Sequence, residues 1–151
     1  MKAPYFIGQS RYTIDPKSRL FIPSRFREAL KEETEKYFIL TSGIDGCLYL
    51  FLPSRWSNLL ETNLQGINLS NKDEERAFKR KFFSEANEVE PDAQGRILIP
   101  QFLRAYAEIK KNVVVQGVAS RIEIWDERKW NAYYKSKVLP SFKKLSKNLE
   151  I

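Results

Sequence analysis

The sequence predicts an α+β protein built as a tandem duplication, and two echoes along the chain predict it. Asp15 to Pro23 reads DPKSRLFIP, and Asp92 to Pro100 reads DAQGRILIP. In both, an Asp precedes three small or polar residues, an Arg, an apolar triplet and a Pro. The helix-like stretches that follow match as well, SRFREAL from Ser24 and QFLRAYA from Gln101. A second echo comes later in each half: Gly43 to Trp56 reads GIDGCLYLFLPSRW, and Gly117 to Trp130 reads GVASRIEIWDERKW. Its offset is slightly shorter, so the first half carries the longer connecting loop. Short β-patterned runs and helical patterns alternate in each half, which is the α+β signature.

Each element has a local reason. Tyr12-Thr13-Ile14 leads as a strand into the first turn. Pro16 presets one backbone dihedral there, and Gly95 reaches positive φ cheaply in the second copy. Ser18 stands where the second copy has Gly95, so it is expected to hold the turn only if positive φ is not needed. Leu20-Phe21-Ile22 and Ile97-Leu98-Ile99 read as short buried strands, ended by Pro23 and Pro100, which can each open a helix. Ser24 to Lys31 places Phe26, Ala29 and Leu30 on one helical face, and Glu32 to Lys36 reads as a surface loop. Tyr37–Thr41 and Cys47–Phe51 read as strands around a turn at Asp45-Gly46. A helix opening at Pro53 and Ser54 has Trp56, Leu59, Leu60 and Leu64 as its apolar face, and Gln65–Leu69 reads as the loop joining the halves.

Ser70 with Asp73 resembles a capping box for a helix from about 71 to 83. That helix carries Phe78 and Phe82 one turn apart, and also the densest basic run, Arg76, Lys79, Arg80 and Lys81. In the second half Val89 leads into the turn, a helix starts at about Gln101, and Val113–Val115 is a strand. Arg121–Trp125 alternates, so Ile122 and Ile124 are expected inward with Arg121 and Glu123 outward. Asp126 caps a last helix with Trp130, Tyr133, Tyr134 and Val138 as its stripe, and Trp56 and Trp130 read as packing residues. The expected units are therefore residues 1–69, residues 70–139 as their repeat, and a basic tail, 140–151, without a repeat partner and open to disorder.

Composition narrows the function. The net charge of +7 favours a polyanionic partner, nucleic acid before an acidic membrane surface. No His is present and Cys47 is the lone Cys, which removes Ser-His-Asp and Cys-His catalysis and His/Cys zinc sites. An intrachain disulfide is impossible, as suits a reducing compartment. No apolar run has the length of a membrane span, and the opening MKAPYFIGQS lacks a signal peptide's apolar core. The expectation is a soluble cytoplasmic protein that is not an enzyme and needs no cofactor, metal or small-molecule substrate. An Asp four residues before an Arg across a tight turn can orient the guanidinium by a paired hydrogen bond. The same arrangement also suits a plain structural turn, and surface pairs of that kind contribute only about 0–1 kcal/mol.

The motifs DPKSRLFIPSRFREAL, DGCLYLF and FFSEANEVEPDAQGRILIP resemble those of the MraZ family, bacterial regulators at the head of the division and cell-wall gene cluster. The resemblance runs from about Tyr5 to Tyr134. It implies two AbrB-like swapped-hairpin subdomains forming a double-split β-barrel flanked by short helices. It implies a homo-oligomeric ring of octamer size or larger, bound to double-stranded DNA at short promoter direct repeats upstream of its own operon. The implied effect is repression, in the cytoplasm at the nucleoid. Carried over by position, the DNA contacts are Asp15, Lys17 and Arg19 in the first copy, and Asp92 and Arg96 in the second. Arg pairing bidentately with guanine would read sequence, and Lys17 would hold phosphate. Two other readings compete. A hydrolase using Asp15 and Asp92 is opposed by the neighbouring arginines, which lower rather than raise a carboxylate's pKa. A structural or nucleoid-associated ring would bind without sequence preference.

Overall fold

The computed structural model describes residues 4–62 and 71–151. Strands β1 (Gln9–Thr13) and β2 (Arg19–Phe21) precede helix α1 (Ser24–Glu32), then β3 (Phe38–Ser42), β4 (Leu48–Phe51) and α2 (Pro53–Thr62). Helix α3 (Lys72–Ser84) leads into the second series: β5 (Asn87–Val89), β6 (Arg96–Leu98), α4 (Gln101–Tyr106), β7 (Asn112–Val118), β8 (Arg121–Asp126) and α5 (Glu127–Tyr133). A π-helical turn, Tyr134–Val138, joins α5 to α6 (Leu139–Ser146).

The duplication is visible in the topology. A six-stranded antiparallel sheet has the order β1-β7-β8-β4-β3-β5, and β2 pairs separately with β6. Exchanging each strand for its repeat partner turns the six-strand order into its own reverse. Each half therefore lends its first strand to the other half's sheet, β1 to β7 and β5 to β3. The register locates a local two-fold axis. It passes between Leu20 and Ile97 in the ribbon, and between Tyr49 and Glu123 in the sheet, both pairs being repeat equivalents. The described strands form an open sheet and a ribbon.

Two apolar clusters explain why the strands are buried on both faces. The larger lies between the sheet and a cover of ribbon, α1 and α4; it holds Leu20, Ile22, Ile97 and Ile99 against Leu40, Leu50, Val115 and Ile122. The second, on the opposite sheet face, holds Phe51, Trp56, Phe82, Val114, Trp125 and Trp130. Trp56 and Trp130 are thus core, as their positions predict. This second layer corrects the expectation for β8. Glu123 is not outward but 8% exposed, accepting from Arg121 Nη2 at 2.8 Å and Trp125 Nε1 at 2.9 Å. The alternation marks two buried faces here, because α5 covers the side that a one-sided sheet would leave wet.

Other boundaries shift for local reasons. Ser70 and Leu64, with the junction loop Gln65–Leu69, lie outside the described residues, and the cap of α3 is Asn71, whose Oδ1 accepts from the backbone N–H of Asp73 and Glu74. Leu60 is half exposed rather than packed, while Leu59 lies against the second cluster. Asp126 does cap α5, accepting from Lys129 N–H at 3.3 Å. Tyr134, placed in the apolar stripe, is 43% exposed, while Tyr133 and Val138 pack. The tail is helical over Leu139–Ser146 instead of irregular, continuing from α5 through the π-helical turn.

Leu20 is fully buried on the two-fold axis, so Leu20→Ala should lower unfolding free energy by about 2–5 kcal/mol. Leu60→Ala should stay within about 0.5 kcal/mol. Urea denaturation of both variants checks the contrast.

Candidate nucleic-acid interface

The two Asp–Arg turns are built alike, atom for atom. Asp15 Oδ1 accepts from the N–H of Lys17 and of Arg19, each at 2.9 Å, and Oδ2 accepts from Arg19 Nε at 2.6 Å. Asp92 Oδ1 accepts from the N–H of Gln94 and of Arg96, each at 2.9 Å, and Oδ2 from Arg96 Nε at 3.1 Å. Backbone bonds close both turns, Ser18 N–H to Asp15 O and Gly95 N–H to Asp92 O, each at 2.9 Å. These donors stabilise the charged carboxylate. The Arg19 backbone N–H foremost holds Asp15 below the ordinary aspartate pKa, and the Arg96 N–H does the same for Asp92.

Ser18 corrects the expectation about its turn. Its φ is 63°, beside 81° at Gly95, so both copies use the left-handed conformation. For Ser that costs roughly 1–2 kcal/mol. The side chain gains a partner in return, since Arg104 Nη1 donates to Ser18 Oγ at 2.7 Å. At the other turn a Cβ on Gly95 would meet the guanidinium of Arg27 at 2.7 Å. Arg27 and Arg104 hold the same place in the two halves, SRFREAL and QFLRAYA, so each half's helix arginine covers the other half's turn. Arg27 Nε is fixed on Ile22 O at 2.8 Å, and Arg104 Nε on Ile109 O at 3.0 Å. Sequence reasoning missed these two arginines, although their matched position was the available signal.

Pairing of β2 with β6 brings the two turns onto one ribbon. Arg19 faces Leu98, Leu20 faces Ile97, and Phe21 faces Arg96. The central pair points into the core, so Arg19, Phe21, Arg96 and Leu98 share the outer face. Asp15 also reaches the second arginine, its Oδ2 lying 3.7 Å from Arg96 Nη1. Lys17 is exposed at the tip of the first turn. All five predicted residues therefore gather at one ribbon. The basic run on α3 does not join them. Its apolar face packs through Phe78 and Phe82 on the sheet face turned away from the ribbon. Three of its cations pair with acids along the same helix or just beyond its end: Arg76 with Asp73, Lys79 with Glu75, and Lys81 with Glu85.

Fold and turns together define a duplicated α+β protein whose halves exchange strands and present two clamped arginines on a two-stranded antiparallel ribbon. The chain belongs to the MraZ family: the model described as "MraZ protein, putative antitoxin-like" matches twice, over residues 5–81 and 82–150. Among similar proteins, the "Transcriptional regulator MraZ" of Clostridium tetani is 52% identical over 128 residues, 85% of this chain and 86% of its own. That of Acetivibrio thermocellus is 49% identical over 128 residues, 85% of each chain. That of Heliobacterium modesticaldum is 42% identical over 144 residues, 95% of this chain and 96% of its own.

Two outcomes are expected at the turns. Gly95→Ala should destabilise by roughly 1–2 kcal/mol, from the left-handed φ, and should displace Arg27; thermal unfolding measures it. Because the folded pKa of Asp15 and Asp92 is depressed, their contribution is present above about pH 3.9 and is lost as pH falls through the folded values. Wild-type stability should therefore fall more steeply below pH 4 than that of an Asp15→Asn, Asp92→Asn double variant, followed by urea titration at stepped pH.

Proposed function

We propose that this protein is a DNA-binding transcriptional regulator that reads short direct repeats upstream of its own operon, with the β2–β6 ribbon in the major groove. The observation that carries this reading is the pair of clamped arginines, Arg19 and Arg96, on one outer ribbon face. A two-stranded ribbon fits the major groove, and Arg bidentate to guanine O6 and N7 is the commonest specific contact there. Asp15 takes Arg19 Nε and leaves that arginine's outer guanidinium nitrogens for the base, while Arg96 Nη1 also lies 3.7 Å from Asp15 Oδ2. Holding the side chain in place beforehand reduces the ordering entropy lost on binding. Lys17 supplies a phosphate contact, which positions without specifying. The names of the relatives support regulation of transcription.

The palindromic strand order supports a double-split barrel made of two swapped-hairpin halves, residues 1–69 and 70–139. One ribbon makes few base contacts, so we propose a homo-oligomeric ring, of octamer size or larger, that sets identical ribbons on successive repeats. Phe142 and Leu145 on α6, and Leu149 just beyond it, lie exposed on the single chain and support burial between copies. Binding across its own promoter makes the protein a repressor, acting at the nucleoid in the cytoplasm, without catalysis.

Gel-shift titration at fixed salt tests this, comparing DNA upstream of the protein's own gene with scrambled DNA of equal composition. Wild type should prefer its own DNA, and Arg19→Ala should lose about fivefold to a hundredfold in that binding, the worth of one bidentate contact. Arg96→Ala should also reduce the preference. Lys17→Ala should weaken both DNAs alike and lower the salt slope by about 1. Equal binding of both DNAs by wild type and variants would sink the reading and leave a non-specific ring.

A further inference from the structure

The two halves of the ribbon are equivalent in sequence position but not in surface. Phe21 and Leu98 occupy the same place in the repeat, each across the strand pair from the other half's arginine. Phe21 is half-buried: Tyr12 packs edge-on against it at 5.2 Å, and the Arg27 guanidinium sits 5.3 Å over its ring. Leu98 is 59% exposed on the same face. The arginines differ too. Arg96 is drawn to both Asp92 and Asp15, whereas Arg19 is held by Asp15 alone.

Ribbon hydrogen bonding sharpens the pairing of Arg19 with Leu98. Ile22 N–H donates to Gly95 O at 2.9 Å, and Ile99 N–H to Ser18 O at 2.8 Å. By alternation this makes Arg19 and Leu98 a non-hydrogen-bonded pair, the kind whose side chains stand closest. An exposed branched apolar side chain thus lies beside the guanidinium best placed to take a guanine. In the major groove the one apolar group on a base edge is the thymine 5-methyl. An exposed Leu here adds nothing to the core, since Leu20 and Ile97 fill the inward side.

We propose that Leu98 is a specificity-determining residue that reads the 5-methyl group of a thymine next to the guanine taken by Arg19. The reading unit is then composite, with Arg19 from the first half and Leu98 from the second, and it recognises a guanine–thymine neighbour pair. This rests on the DNA-reading function proposed above. It also makes the two copies of the turn unequal: the Arg19 side reads two adjacent bases, while the Arg96 side, with Phe21 engaged by Tyr12 and Arg27, reads one at most.

The test replaces thymine by deoxyuridine, which keeps pairing and removes only the methyl group. In the upstream DNA, each thymine position is substituted in turn across all repeats, and the full-length wild type and Leu98→Ala are titrated against each. Wild type should lose roughly fourfold per repeat at one position, the worth of one buried methyl. Leu98→Ala should bind thymine and deoxyuridine DNA alike while still preferring its own DNA over scrambled through Arg19. If wild type prefers its own DNA yet is indifferent to deoxyuridine everywhere, or if Leu98→Ala keeps the same discrimination, the role of Leu98 is overturned and the regulator reading stands. If wild type shows no preference for its own DNA, both fall. Leu98→Ala should fold normally, and unfolding at the wild-type urea midpoint verifies that.

Discussion

The antiparallel pairing of β2 with β6 is the constraint on which the rest of this structure depends. It sets Leu20 against Ile97 on the local two-fold axis and sends both side chains into the core. Once that pair is fixed, the apolar triplets cap one sheet face, and the turns before them must emerge at opposite ends of one ribbon. Strand exchange in the large sheet follows the same axis, which passes again between Tyr49 and Glu123. Neither half can complete its sheet alone, because its first strand is seated on the other. The Asp–Arg turns are held from both sides, by their own carboxylates and by the helix arginine of the opposite half.

That arrangement explains how a half-buried arginine can be ordered while its outer nitrogens stay accessible. A carboxylate that accepts two backbone N–H groups and one Nε–H is tied to the turn, and it carries the guanidinium with it. Exposed ion pairs contribute little to stability. What this one supplies is geometry: the turn fixes the direction of the side chain. The duplication gives two such side chains, and divergence between the halves has made their surroundings differ. Phe21 is roofed by Arg27, whereas Leu98 stands open.

Much of this was legible in the chain itself. The repeated DPKSRLFIP and DAQGRILIP segments announce the duplication, the turn chemistry and both Asp–Arg pairs, because local turns are written in local sequence, whereas Lys17 entered only through the family resemblance. The α+β class and most strands and helices follow from periodicity. What could not be read there is long-range. Strand exchange depends on pairing between residues far apart in the chain, and only the family resemblance, not the residue pattern, pointed to swapped hairpins. Glu123 was expected outward because alternation cannot tell a wet face from one covered by α5. Ser18 looked unfit for a left-handed turn because its compensation, a hydrogen bond from Arg104, comes from the other half. Asn71 caps α3, one residue beyond the expected Ser70, which lies outside the described residues. Leu98 appeared only as one of a buried triplet, until its register against Arg19 turned it to solvent.

The most direct measurement of the central claim, that Arg19 reads a guanine edge, exchanges a single ring nitrogen of the DNA for C–H. Upstream DNA carrying 7-deazaguanine in place of guanine, one position at a time across the repeats, lacks the N7 acceptor but keeps base pairing. Wild type should lose affinity sharply at one or two positions, and Arg19→Ala should be insensitive at one of them. If wild type prefers its own DNA but tolerates 7-deazaguanine at every position, the clamped arginine is not the reading group and the account of this ribbon is wrong.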